Sequence, residues 1–250
     1  MSVVAIIPAR YASTRFPAKP LVDLCGQTMI ERVWRAALQA KEIDEVYVST
    51  DDDRIAKECG RIGAECIMTS SELASGTDRV AAAAATLGSS AQIILNVQGD
   101  EPLLPPDLLD SLVVALRESS MDVATPIRRM SSGSDLDNPT ICKVALRSDN
   151  TALYFSRSVI PHVRGIEGAE RLQHFDYWKH IGIYAYTTEA LQRFIQLPPA
   201  TLELAESLEQ LRLLADGARY LCVPTLHDLV AIDTPEDAER VRAILQSQSH

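Results

Sequence analysis

Residues 3–21 read VVAIIPARYASTRFPAKPL. The apolar run from Val3 to Ile7 has the length of a buried strand. It breaks at Pro8, which has no N–H to offer a ladder. Arg10, Arg15 and Lys19 follow, with Ser13 and Thr14 between them, and no Asp or Glu precedes Asp23 although the chain has a formal net charge of −10. A strand that opens into a wholly cationic loop, in an acidic protein, is the pattern to be explained.

Outward from this stretch, strand and helix signals alternate. Met29, Ile30, Val33, Ala37 and Leu38 fall at helical spacing within Gln27–Ala40, and EVYVST (45–50) predicts a strand ending in Asp51, Asp52 and Asp53. A helix running to Gly60 or Gly63 is expected next, then the strand AECIMT (64–69). SGTDRV (75–80) opens another helix with Ser75 or Thr77 as cap, and QIILNV (92–97) is a near-continuous apolar strand ending in QGDEP. Pro105-Pro106 starts a helix, and MDVATPI (121–127) is one more strand. Alternation of this kind implies a parallel sheet covered on both faces. Such sheets bind ligands beyond the carboxyl ends of their strands, here after Ile7, Thr50 and Val97.

The second half changes character. ICKVALR and ALYFSRSVI read as a hairpin joined by Ser148, Asp149 and Asn150; residues 162–176 are polar and loop-like, and YWKHIGIYAY (177–186) reads as one strand. Helical patterns cover Thr188–Gln196 and Thr201–Ala215, followed by the strand ARYLCV and a last helix opened by Thr234-Pro235. The expected α/β architecture is one domain over 1–250, a doubly wound core with an inserted β-rich lobe at about 130–186.

Composition narrows the function classes. The acidic balance argues against nucleic acid as partner, and no apolar stretch is long enough for a transmembrane helix, so no membrane partner is expected. The start of the chain lacks the features of a signal peptide. Five cysteines are scattered without a CxxC pair or a His/Cys metal spacing, which predicts reduced thiols in a cytoplasmic protein.

Several motifs carry candidate chemistry. The cationic loop suits a triphosphate, because arginine forks and a lysine point charge bind phosphate oxygens, and neither GxxxxGK[ST] nor GxGxxG is present. In QGDEP (98–102), Asp100 follows the turn at Gly99 and could hold Mg²⁺ that also meets substrate phosphates. In VAID (230–233), Asp233 could share that metal or simply sit beside a helix N-terminus. Asp51–Asp53 fit a DxD metal motif, but a helix follows at once and capping is the preferred reading. Thr77 and Arg79 stand at a helix start that could meet an anion, and His180 and Tyr184 share one face of a predicted strand. Two further readings stay open from the residues alone. One is a glycosyltransferase using Asp51 and Asp53; the other is a non-catalytic nucleotide-binding module.

Taken together and in order, IIPARYASTRFPAKPL, STDD, MTSSELASGTDRV, ILNVQGDEPLL, ALYFSRSVIP, HIGIYAY, LEQLR and IDTPEDAERVR resemble the 3-deoxy-manno-octulosonate cytidylyltransferases over nearly the whole chain. The resemblance implies a Rossmann-like GT-A nucleotidyltransferase fold with a mostly parallel mixed sheet, dimerised through the inserted lobe as a homodimer. It implies transfer of CMP from CTP to 3-deoxy-D-manno-octulosonate (Kdo), with Mg²⁺, for lipopolysaccharide biosynthesis. Carried over, Arg10, Ser13, Arg15 and Lys19 hold the triphosphate, beside Ala9 and Gly99. Thr77, Arg79 and Gln98 meet the nucleoside, and Asp100 and Asp233 bind the metal. Arg157, Arg164, His180, Tyr184, Glu209 and Gln210 line the sugar site. Ala18 stands where the family usually has glycine, Phe16 where leucine is common, Asp78 for a glutamate and Ala231 for a glycine.

Overall fold

The computed structural model describes residues 2–12, 16–88 and 91–248. Ser13 and Arg15, two of the predicted triphosphate ligands, lie outside the described residues. The chain divides into two compact units, 1–113 with 229–250, and 114–228. The segment 130–186, expected as an inserted lobe, falls wholly inside the second unit.

In the first unit, β1 (Ser2–Ala9), β2 (Glu45–Thr50), β3 (Glu65–Met68) and β4 (Ala91–Asn96) form parallel pairs in the order β3-β2-β1-β4. Val3 to Ile7 are buried because β1 is flanked on both edges. The strand runs past Pro8, two residues further than the apolar run. Pairing with β2 continues to Ala9↔Thr50, but pairing with β4 ends at Ile6↔Asn96. The Ile6 carbonyl accepts from Val97 on that side, and Pro8, two residues on, turns its missing N–H to the same, now open, edge.

Helices α1 (Met29–Ala37), α2 (Asp53–Ile62) and α3 (Gly76–Thr86) begin at side-chain caps. Thr28 Oγ1 accepts from Glu31 N–H, Asp52 Oδ1 from Arg54 N–H, and Ser75 Oγ from Asp78 N–H at 3.3, 2.9 and 3.0 Å. Thus Ser75, of the two candidates, caps α3, and Thr77 is buried inside it. Gly63 ends α2 with φ +79°, a conformation that glycine adopts without penalty. Helix α4 (Pro106–Arg117) follows β4, and the division between units falls within it.

The second unit is mixed. β5 (Val123–Arg129) pairs antiparallel with β8 (Trp178–His180) and β9 (Tyr184–Thr187), and parallel with β10 (Tyr220–Pro224). β6 (Lys143–Leu146) and β7 (Ala152–Ser156) form the predicted hairpin, with Asn150 at φ +60° in its turn. The structure differs from the expected elements in four places. The loop-like 162–176 contains a 3₁₀ turn and the short α6 (Arg171–His174). The strand over 177–186 breaks into β8 and β9, with Ile183 N–H turned back to the Ile181 carbonyl. Short α5 (Gly133–Asp137), capped by Ser132, was not expected. Helix α7 (Thr188–Gln196) matches its prediction, but Thr201–Ala215 splits into α8 (Thr201–Glu206) and α9 (Gln210–Ala215) at Ser207, whose φ is +52°.

The chain returns to the first unit with α10 (Pro235–Gln248). Leu24, Met29, Ile232, Ala238 and Val241 make one buried cluster there, with Phe16 and Val22 packed against it. That burial fastens the loop before α10 to the segment just after the cationic loop. Among the described residues, no helix is long and apolar enough to cross a membrane.

Candidate active site

The cationic loop is closed by its own backbone: Ala18 N–H donates to the Tyr11 carbonyl at 3.1 Å. Ala18 is left-handed, with φ 60° and ψ 17°, and a 3₁₀ turn over Lys19–Leu21 follows. A residue with a Cβ is strained there, which gives a physical reason for the glycine that the resemblance implies at this position. Arg10 and Lys19 flank the closure. Arg10 Nη2 donates to the Leu73 carbonyl at 2.7 Å, and the Lys19 ammonium reaches Asp100 Oδ2 at 2.8 Å and Asp233 Oδ1 at 3.5 Å.

Three predicted residues thus converge on one point, although 81 and 214 positions separate Lys19 from its partners. The supporting backbone is specific. Gly99 permits the turn after β4, because a Cβ there would lie 2.8 Å from the Pro8 carbonyl oxygen. Asp100 accepts from Ile232 N–H through its main-chain carbonyl at 3.0 Å. Asp237 Oδ2 accepts from the N–H groups of Asp233 and Thr234 at 3.1 and 3.0 Å, so the start of α10 fixes Asp233. Burial works against the charge of Asp237, yet those donors hold its pKa below the ordinary value.

Beside β4 runs a chain of amides. Gln98 Nε2 donates to Asn96 Oδ1 at 3.4 Å, and Asn96 Nδ2 to Thr77 Oγ1 at 3.2 Å. Asn96 is fully buried and was not singled out from the sequence. Arg79 is fully buried too. Its guanidinium bonds the Thr69 hydroxyl and lies 3.2 Å from Asp51 Oδ1. Burial lowers its pKa against the opposing pull of Asp51. This also places the aspartate triplet: Asp51 pairs with Arg79, Asp52 caps α2 and bonds Arg54, and Asp53 opens the helix. Among the described residues, no group of three or more His, Cys, Asp or Glu side chains could hold a metal.

In the second unit, Arg157, His180, Tyr184 and Gln210, all predicted for the sugar site, have side chains with bonded or ring neighbours. The rings of His180 and Tyr184 meet at a tilt of 44° with centroids 5.4 Å apart, despite the break between their strands. His180 Nε2 lies 2.9 Å from Thr125 Oγ1, and that hydroxyl reaches the Ile183 carbonyl at 2.8 Å. Burial drops the His180 pKa to about 3, so the ring is neutral at pH 7. Tyr184 donates to Gln210 Oε1 at 3.2 Å, and Gln210 Nε2 to Cys142 Sγ at 3.7 Å. Glu209 stands at the N-cap of α9, and Arg164 is exposed. The Arg157 guanidinium is turned to main-chain carbonyls, those of Glu206 at 2.7 Å and Ser207 at 3.2 Å foremost. Glu206, which the sequence did not flag, accepts from Ser156 Oγ at 2.6 Å and Arg157 N–H at 2.9 Å.

The cytidylyltransferase family model matches residues 4–220. The 3-deoxy-manno-octulosonate cytidylyltransferase of Parabacteroides distasonis is 42% identical, over 99% of this chain and 100% of that protein. Its namesake from Myxococcus xanthus is 44% identical, over 98% and 97%. A solved structure of CMP:2-keto-3-deoxy-manno-octonic acid synthetase complexed with CTP superposes with a TM-score of 0.91 at 38% identity, covering 99% of this chain and all of that one. A cytidylyltransferase structure from Leptospira borgpetersenii, 18% identical with a TM-score of 0.66, shares the fold. The α/β architecture with its mixed, mostly parallel sheet is therefore that of a nucleotidyltransferase, and the chain belongs to the 3-deoxy-manno-octulosonate cytidylyltransferase family.

Proposed function

We propose that this protein transfers CMP from CTP to the anomeric hydroxyl of Kdo, giving CMP-Kdo and pyrophosphate for lipopolysaccharide biosynthesis. The observation that carries the reading is the meeting of Lys19, Asp100 and Asp233 beyond the carboxyl ends of β1 and β4, in a chain of this family. The sugar oxygen forms a bond to the α-phosphorus as the bond from that phosphorus to the bridging oxygen breaks, and pyrophosphate leaves. No protein nucleophile is needed, because such transfers depend on positioning and charge stabilisation. Arg10, Arg15 and Lys19 neutralise the leaving pyrophosphate. Thr77, Arg79 and Gln98 belong to the nucleoside side, with Arg79 acting through its neighbours because its own side chain is buried. In the second unit, Arg157, Arg164, His180, Tyr184, Glu209 and Gln210 serve the sugar acid.

Mg²⁺ fits the carboxylate pair. Two carboxylates already share one cationic partner, and Mg²⁺ typically takes one or two protein carboxylates plus phosphate oxygens. Asp100 and Asp233 would hold the ion, which would supply Lewis-acid charge beside the sugar hydroxyl. The protein works as a cytoplasmic homodimer in this proposal. The unpaired cysteines fit a reducing compartment, and light scattering checks the dimer.

Pyrophosphate release from CTP, with and without Kdo at fixed Mg²⁺, tests the function. UTP and sialic acid serve as parallel substrates. Release with CTP and Kdo together, and with no other pair, is expected; no release from that pair overturns the proposal.

A further inference from the structure

Lys19 is assigned to the phosphates, yet its ammonium rests on the two carboxylates assigned to the metal, at 2.8 and 3.5 Å. Its side chain is 15% exposed, less than either carboxylate, so the contact is sheltered from solvent. One ammonium at that distance occupies carboxylate lone pairs and repels a second cation. The three groups cannot all keep this arrangement once a divalent ion and a triphosphate are present. The backbone at Lys19 is fixed: its N–H donates to the Phe16 carbonyl at 3.3 Å, and its carbonyl accepts from Val22 at 3.2 Å. What can move is the four-carbon stem, the property that separates lysine from the more rigid arginine fork.

We propose that Lys19 is an exchangeable counter-ion that couples nucleotide and metal binding. In the nucleotide-free protein it holds Asp100 and Asp233 and keeps divalent cations off them. The triphosphate offers the ammonium denser negative charge, draws it away, and frees both carboxylates for the ion that arrives with the nucleotide. By linkage the effect is reciprocal: a metal on the carboxylates releases Lys19 toward phosphate. The inference rests on the metal assignment of the proposed function, and it adds an order to the site, in which neither ligand is bound strongly without the other.

The test is Mn²⁺ binding to the full-length, nucleotide-free protein, read as loss of the free-ion paramagnetic resonance signal. Lys19→Met removes the charge at similar length and is expected to raise Mn²⁺ affinity about tenfold, within the usual range of coupling between sites. Lys19→Gln, a second uncharged variant, should gain likewise. Lys19→Arg should gain nothing, and adding Asp100→Asn to Lys19→Met should erase the gain. Thermal melts establish that each variant is folded. Equal Mn²⁺ affinity in the wild type and in a folded, uncharged variant overturns the exchange. Pyrophosphate release by the wild type is scored separately: turnover without the Mn²⁺ gain sinks the exchange alone, and the gain without turnover sinks the proposed function and leaves only the competition between Lys19 and the cation for the two carboxylates.

Discussion

Ile232 donates its backbone N–H to the Asp100 carbonyl at 3.0 Å, which joins the loop after β4 to the loop before α10, main chain to main chain, beside both carboxylates. The bond does not involve the Asp100 side chain. Asp100→Asn should therefore keep the fold and lose only charge. Pyrophosphate release is expected to fall about a hundredfold or more, with a melting temperature close to wild type, because stabilising charge at the reacting centre is removed.

Gly99 is a packing requirement. Alanine there brings its Cβ to 2.8 Å from the Pro8 carbonyl oxygen, and both sides of that contact are backbone. Gly99→Ala should cost about 1–3 kcal/mol, the range for overpacking. It should also lower CTP turnover, since Asp100 is next in the chain. Urea unfolding and the pyrophosphate assay measure the two effects on the same sample.

Ala18 tests the opposite sign. Its left-handed backbone, φ 60°, costs a residue with a Cβ about 1 kcal/mol. Ala18→Gly should raise the urea midpoint by a corresponding amount without changing the slope of the transition. An unchanged or lower midpoint would mean that the gained chain entropy of the unfolded state cancels the relief.

Arg79 and Asp51 form a pair in which the arginine is fully buried. Removing the carboxylate charge with Asp51→Asn strands that cation, at a cost of about 3–5 kcal/mol. The double substitution Asp51→Asn with Arg79→Met should be more stable than Asp51→Asn alone. A strictly additive double-mutant cycle would show that the two are not coupled.

His180 gives a pH signature. Its ordinary pKa of 6.5 falls to about 3 in the fold because burial disfavours the imidazolium. Between those values the unfolded chain binds a proton that the folded chain does not. The contribution to stability is therefore complete above pH 6.5 and is lost as the pH falls toward 3, with a slope of up to about 1.4 kcal/mol per pH unit. His180→Gln should flatten the acid side of the stability curve by up to one proton. Urea titrations at about pH 7, 5.5 and 4.5 read that slope directly.

Much of this was legible in the sequence because it is local. The Ser75 and Thr234 cap positions, capping within Asp51–Asp53, the Gly63 stop and the buried β1 run each depend on a few adjacent residues. The helix break at Ser207 was hidden, since no proline or run of turn residues marks it, and the strand break before Tyr184 is marked by the lone Gly182 and nothing more. In the site, residue types and strand ends pointed to Lys19, Asp100 and Asp233, but their meeting is tertiary and no spacing encodes it. Asp51 shows the reverse problem. Its place in an acidic triplet suggested a metal motif or a cap, whereas its partner lies in another helix. Asn96 gave no signal, because a buried amide inside an apolar strand looks like an ordinary interruption.

The return of the chain to its first unit has a consequence for biosynthesis. Lys19 and Asp100 leave the ribosome early, while Asp233 trails Lys19 by 214 residues, behind all of the second unit. A nascent chain can set the first carboxylate on the ammonium long before the second exists. Ile232, Ala238 and Val241 then close the cluster around Leu24 and Met29 as a late event. Closing so long a loop is slow compared with local folding, so the second carboxylate joins the first only at the end of folding.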